Sequence, residues 1–173
     1  MSLTRIKIKG LDFLMEVARR MPDEKFVLFR DMNNSKHLLN APDNVEILSG
    51  RFTLDQLAHY YSRAKVYTQF SLTEGFPSVV CEAMLSECIP VVSSAGGMPD
   101  IVGEIGYVMK ERAVETAVSM VKMALDSEDD KVGVAAREKI KKYYTPEIRA
   151  KKLLQILANK NTTIVKDEEE LVT

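Results

Sequence analysis

Apolar residues along this chain fall at helical spacing in one stretch and crowd into short runs in the next. Between Leu11 and Arg20, the residues Leu11, Leu14, Met15 and Ala18 form one helical stripe, and the turn Met21-Pro22-Asp23 ends it. Lys25 to Arg30 is short, apolar and turn-bounded, as a strand buried in a parallel sheet should be. A polar stretch from Asp31 to Asp43 leads to a second strand at Val45 to Leu48. Thr53 predicts a helix N-cap, because Gln56 stands three residues later and Leu54, Leu57, Ala58 and Tyr61 follow as one face. Lys65 to Phe70 is a third strand by its β-branched and aromatic content. Thr73 to Ser78 is a loop punctuated by Gly75 and Pro77, and Val79 to Glu87 a helix with Val79, Val80, Ala83 and Met84 inward. Ile89 to Ser93 is a fourth strand, tolerating Pro90 near its start. A sharp loop, Ala95 to Pro99, leads into a short helix around Asp100 to Val102, and Gly106 to Met109 is a short fifth strand. Helices then run from Ala113 to Leu125, Val132 to Tyr144 and Pro146 to Ala158.

Strands alternating with helices imply an α/β fold: a Rossmann-like, doubly wound parallel sheet covered on both faces. Residues 4–160 form one domain, and the polar, acidic tail 161–173 is expected to fray. In such a fold ligands sit at the carboxyl ends of the strands. The length, 173 residues with 46% hydrophobic, supplies one core and no more. A net charge of −1, from 24 basic and 25 acidic residues, gives no global field toward nucleic acid or acidic lipid. The basic runs at Lys139 to Lys142 and Lys151-Lys152 alternate with apolar residues and suit solvated helix faces. Cys81 and Cys88 lie in apolar surroundings without a metal-ligand neighbour, which suits buried thiols in a reducing compartment. No apolar run approaches the ~20 residues of a membrane span. The expected location is therefore cytoplasmic, with peripheral contact at the inner membrane face as the alternative. His37 and His59 have no motif around them.

Three loops gather at the predicted ligand edge: the segment before Gly10, Thr73 to Ser78, and Ser93 to Pro99. The middle loop is the richest in chemistry. Gly75 lets backbone come close to a ligand, and the first turn of the next helix leaves N–H groups free for a phosphate. Glu82, about one turn further in, can hold a diol, since a carboxylate accepts from two adjacent hydroxyls. Glu74 at the loop tip can do the same on the other side of the phosphate. The plainer reading of both is a pair of solvated carboxylates. Phe76 can be a core anchor or a ring facing sugar, and Gly96-Gly97 can be turn chemistry or a ligand loop.

Glu74-Gly-Phe-Pro-Ser-Val-Val-Cys-Glu82 with Ala83-Met84 resembles the paired-glutamate signature of the group 1 retaining glycosyltransferases of GT-B architecture. Ile89-Pro-Val-Val-Ser-Ser-Ala-Gly-Gly-Met-Pro-Asp-Ile-Val102 is similar to that family's proline–valine strand, double-glycine loop and acidic-Ile-Val helix. Lys9-Gly10 resembles its Lys-Gly step, and Tyr143 to Leu157 its closing helix. The resemblance implies the carboxy-terminal, donor-binding half of such an enzyme. It assigns Glu74 to hydroxyls of a donor hexose, Lys9 and Arg5 to the diphosphate, and Glu82 to the ribose diol. The backbone of Gly75, Phe76 and Pro77 would line the sugar and diphosphate, the amides of Ser78, Val79 and Val80 would meet phosphate, and Gly50, Arg51 and Phe52 the base. Two departures stand out. Arg5 lies four residues before Lys9 where the family has five and a preceding strand, and Arg30-Asp-Met-Asn-Asn34 replaces a Gly-x-Gly turn.

The implied reaction moves a hexose from a nucleoside diphosphate sugar to an acceptor hydroxyl on a glycan or lipid-linked acceptor, with retention at the anomeric carbon. No Asp-x-Asp motif is present, and no divalent cation or other cofactor is expected. The acceptor-binding partner is an amino-terminal domain absent from this chain, and no nucleic-acid partner is expected. The isolated piece should bind donor weakly and turn over nothing. Rival readings are a sugar-nucleotide epimerase half and a non-catalytic nucleotide-binding subunit. A dinucleotide dehydrogenase is more distant, because no G-x-G-x-x-G follows a strand.

Overall fold

Runs that are apolar on every residue become strands only where both faces are covered, and all five residues of Ile89–Ser93 are buried. A computed structural model describes residues 3–30, 40–128 and 131–170, with side chains described for 6–30, 40–128 and 131–158. In chain order the elements are α1 (Leu3–Ile8), α2 (Leu11–Arg19), β1 (Phe26–Arg30), β2 (Val45–Ser49) and α3 (Leu54–Tyr61). Then follow β3 (Val66–Gln69), α4 (Ser78–Leu85), β4 (Ile89–Ser93), α5 (Met98–Val102) and β5 (Tyr107–Met109). The chain continues with α6 (Val114–Leu125), α7 (Lys131–Tyr143) and α8 (Pro146–Glu170).

All pairing among the described residues is parallel. β4 lies between β3 and β5, with Val66 opposite Ile89 and Val91 opposite Tyr107. β1 pairs with β2 from Phe26 opposite Val45 to Arg30 opposite Ser49. The strands thus hydrogen-bond as two groups, β1-β2 and β3-β4-β5. α2 and α6 pack Phe13, Val17, Ala117 and Val121 into one core with Phe70, Ile89 and Val91. On the opposite face α4, α5 and α7 pack Val80, Met84, Ile101 and Ile140 against Val92. Helices on both faces of parallel strands make this a doubly wound, Rossmann-like α/β domain.

Local chemistry sets the element ends. Thr53 and Gln56 form the expected capping box: Gln56 N–H donates to Thr53 Oγ1 at 3.2 Å and Thr53 N–H to Gln56 Oε1 at 2.9 Å. α4 begins at Ser78 and stops at Leu85, shorter at its end than the apolar pattern suggests. Glu87 takes a left-handed φ of 68°, which turns the chain toward β4. Cys81 and Cys88 are buried thiols, pushed up by burial to about 11 and about 12 respectively. α8 continues past Ala158 to Glu170. Among the described residues no helix is long and apolar enough to cross a membrane.

The junction of α1 and α2 fixes the approach to the ligand edge. Gly10 has φ 66°, and a Cβ there would stand 2.0 Å from the carbonyl oxygen of Phe70. Leu72 N–H donates to the Ile8 carbonyl at 2.8 Å, so this junction is stitched to the exit of β3. Gly10→Ala combines left-handed strain of ~1–2 kcal/mol with overpacking of ~1–3 kcal/mol. For a domain of this size, differential scanning calorimetry should register a fall in melting temperature of roughly 5–15 °C.

Candidate functional site

Parallel strands bring their carboxyl ends to one edge, and the loop after β3 places Glu74 there. Three donors converge on a single oxygen: Glu74 Oε1 accepts from Lys9 Nζ at 2.8 Å, Gln69 Nε2 at 2.8 Å and Ser71 Oγ at 2.7 Å. Oε2 accepts no hydrogen bond among the described residues. The Glu74 side chain is 10% exposed and that of Lys9 43%. Partial burial pushes the Glu74 pKa up, but the bonds from Lys9, Ser71 and Gln69 and the Lys9 charge outweigh it and hold the carboxyl below its ordinary value. This is a fixed anion with one face open.

The backbone of the loop is held from beneath. Gly97 N–H donates to the Gly75 carbonyl at 2.9 Å, and a Cβ on Gly96 (φ 54°) would stand 1.9 Å from the Glu74 carbonyl oxygen. The Gly96-Gly97 pair therefore supports the Glu74 loop by close backbone approach. Gly75 is different: nothing lies within 4 Å of where its Cβ would stand. Packing gives no reason for a glycine at that position.

α4 starts with Pro77 as N-cap and no side-chain cap. Val80 N–H bonds the Pro77 carbonyl at 3.1 Å, and the Val80 side chain is fully buried. Val80 is thereby removed from the amides on offer, and those of Ser78 and Val79 remain without an acceptor among the described residues. Glu82, in the second turn, is half-buried, and its carboxylate makes no hydrogen bond or ion pair among the described residues. Burial pushes the Tyr67 hydroxyl well above 10, and the charges of Glu82 and Glu74 both add to that rise. Both carboxylates thus lie near enough to the Tyr67 hydroxyl for their charges to act on it.

The other expected residues divide. Phe76 is 59% exposed, its ring 5.8 Å from that of Tyr144, so it is no core anchor. Pro77 is buried. Gly50, Arg51 and Phe52 lie at the exit of β2, where Gly50 N–H meets the Arg30 carbonyl at 2.9 Å and Phe52 packs edge-on to Phe29. No hydrogen bond, ion pair or ring contact among the described residues joins them to the Glu74 loop. Arg5 falls in α1, and its side chain lies outside the described residues, as do His37 and most of the segment after Arg30.

The sequence reading missed Gln69 and Ser71, which grip Glu74, and Tyr67, whose hydroxyl donates to Gln69 Oε1 at 2.8 Å. Ser93 Oγ donates to the Ser71 carbonyl at 2.5 Å, steadying the turn. The available signal is alternation: Tyr67, Gln69 and Ser71 are every second residue of one strand and its exit, and so share one face. Because the folded Glu74 pKa is lowered, the stability that its charge contributes is fully present above the ordinary 4.5 and lost as pH falls through the lower folded value. Urea melts of wild type and Glu74→Gln should show a stability difference at neutral pH that shrinks below that point. A difference independent of pH contradicts the charged network.

The arrangement can be compared with known proteins. Residues 2–127 match the family model described as glycosyl transferases group 1. The chain is 28% identical over 143 residues to the sulfoquinovosyl transferase SQD2 of Arabidopsis thaliana, covering 78% of this chain and 28% of that protein. A solved sucrose-phosphate synthase from Thermosynechococcus elongatus superposes with a TM-score of 0.76 at 22% identity, over 90% of this chain and 43% of that one. The crystal structure of Anabaena Alr3699/HepE in complex with UDP-glucose gives 0.71 at 17% identity, over 88% and 46%. The chain thus spans less than half the length of these relatives. With its GT-B type of domain and most of its length matched, the chain belongs to the group 1 glycosyl transferases.

Proposed function

We propose that this chain is the donor-binding half of a retaining hexosyltransferase that moves a hexose from a nucleoside diphosphate sugar to an acceptor hydroxyl. The observation that supports it most is the pair of open carboxylate positions, Glu74 Oε2 and Glu82, flanking the free amides of Ser78 and Val79. A sugar nucleotide presents the same order of parts: hexose hydroxyls, diphosphate, ribose diol. Glu74, kept charged, accepts from the hexose. Glu82 accepts from both ribose hydroxyls. Gly75, Phe76 and Pro77 carry the chain between them, and Gly50, Arg51 and Phe52 meet the base.

The barrier lies in drawing negative charge onto the departing diphosphate. The amides of Ser78 and Val79 and the partial positive charge of the α4 start stabilise that charge as it develops. Lys9 spends one N–H on Glu74 and has two left for phosphate. Arg5 adds a second cation, and in this reading no divalent ion is needed. The acceptor and any general base come from an amino-terminal domain, so the 173-residue chain binds donor without turnover.

Binding to the native state raises the melting temperature, so UDP, GDP and ADP sugars can be ranked by thermal shift. Glu82→Ala should abolish the shift and leave the unliganded melt unchanged; a full shift in that variant removes the ribose assignment. Gly75→Ala should change stability by no more than about 0.5 kcal/mol, since the space is open. It should nevertheless weaken donor binding roughly tenfold, or about 1.4 kcal/mol by calorimetry. With full-length protein, a donor that is bound and never consumed returns the chain to a binding subunit, and an epimerised donor to an epimerase.

A further inference from the structure

Of the three donors on Glu74, Gln69 is the one whose own orientation has to be fixed. Its amide carries two N–H donors at one end and a carbonyl oxygen at the other in nearly the same shape, so hydrogen bonds decide which end faces Glu74. With Nε2 forward it donates to Glu74 Oε1 at 2.8 Å, whereas the carbonyl forward would set an acceptor against a carboxylate. Behind the amide stands Tyr67, whose hydroxyl donates to Gln69 Oε1 at 2.8 Å. We propose that Tyr67 is a positioning residue for Glu74: it locks the Gln69 amide with Nε2 forward, and Gln69 in turn holds Glu74 with Oε2 open toward the donor hexose. The lock belongs to the unliganded chain, and its effect on the hexose rests on the donor reading above.

Tyr67 and Gln69 stand two apart on β3, so their side chains leave the same face of the strand. The Tyr67 ring packs against the buried cluster that includes Val80, Met84 and Val92, and against the group of Tyr61, Ala83 and Cys88. Its centroid lies 6.0 Å from that of Tyr61 in an edge-on contact. This packing holds the ring and makes no use of its oxygen, since a phenylalanine fills the same space. A hydroxyl set among apolar groups is costly unless it is bonded, and among the described residues this one makes a single hydrogen bond, to Gln69. Gln69 accounts for the hydroxyl; the core does not.

Direction matters as much as position. Burial first, and then the neighbouring Tyr61, Glu82, Glu74 and Cys88, push the Tyr67 hydroxyl well above 10, so it stays protonated and able to donate. Each bond then runs toward Glu74. Tyr67 O–H donates to Gln69, Gln69 N–H to Glu74 and, at 3.4 Å, to Ser71, and Ser71 O–H to Glu74. Donors aligned in this way strengthen one another. Lys9, from the α1–α2 junction, brings a positive charge to the same oxygen. Without the Tyr67 hydroxyl the Gln69 carbonyl loses its donor and the amide is free to turn away. Glu74 would then keep Lys9 and Ser71 and lose the partner that β3 supplies from beneath.

Carboxyl-carbon NMR of the unliganded 173-residue chain reads the lock directly. Tyr67→Phe should raise the Glu74 titration midpoint toward the ordinary carboxylate value, because one of the bonds that lowers it is loosened. In a Gln69→Leu background there is no amide to hold, and adding Tyr67→Phe should leave the midpoint where Gln69→Leu puts it. A Tyr67→Phe chain with the wild-type midpoint, or an equal rise in both backgrounds, overturns the proposal. In the wild type the Gln69 side-chain N–H resonances should move as Glu74 titrates; resonances that ignore that titration overturn it too. The effect on the hexose is read by calorimetry with UDP, GDP and ADP, each alone and as its glucose conjugate. For the pair that binds, Tyr67→Phe should weaken the conjugate roughly tenfold and the bare diphosphate by no more than about twofold, because the lock acts on the hexose carboxylate alone. Equal weakening of both, or of neither, overturns the positioning role. A wild-type chain that binds no conjugate contradicts the donor reading, and the titration alone then decides the lock.

Discussion

A single carboxylate oxygen is where the ligand edge of this domain is tied together. Glu74 Oε1 takes Lys9 from the α1–α2 junction and Gln69 and Ser71 from β3 and its exit. Each such bond contributes only about 1–3 kcal/mol, but three on one atom leave the side chain a single orientation. Ser93 holds Ser71 from the neighbouring strand, and the glycine pair holds the loop backbone. Removing one partner leaves a largely buried charge short of a donor, which is why the cluster acts as a unit.

The same arrangement divides labour between the two glutamates. Glu74 is preorganised, so in the proposed site it would lose little freedom on accepting hydroxyls at Oε2. The Glu82 carboxylate has no partner among the described residues, so in the proposed site it would meet a ligand without first breaking a bond. Between them, the free amides of α4 supply positive potential with no mobile side chain to order. Nothing lies within 4 Å of where a Cβ on Gly75 would stand. The fold does not ask for a glycine there, whereas Gly10 and Gly96 are required by backbone a short distance away. This contrast separates a glycine that packing does not require from glycines that it does.

Much of the fold was legible because burial on both faces writes a continuous apolar run, as at Ile89–Ser93, and the capping box writes Thr53 and Gln56 into adjacent turns. The loop of Glu74 was legible through its punctuation and the helix that follows. What stayed hidden depends on contacts distant in sequence. Gln69 and Lys9 meet at Glu74 only after β3 and the α1–α2 junction are brought together, and nothing local to Gly96 announces the Glu74 carbonyl beside it. The division of the strands into two groups was hidden for the same reason: apolar runs state that strands exist and are silent about which edges meet. Phe76, apolar and beside a core helix, looked equally fit for the interior, and only the fold shows it exposed, with Tyr144 beside it.

The central claim is that a diphosphate rests on the start of α4, between the two glutamates. Titration of isotope-labelled protein with UDP, followed through backbone amide resonances, tests it most directly. The amides of Ser78 and Val79 should move downfield together with one saturation curve, and that of Val80, already bonded to Pro77, should move far less. Saturable binding that leaves Ser78 and Val79 unmoved would contradict it.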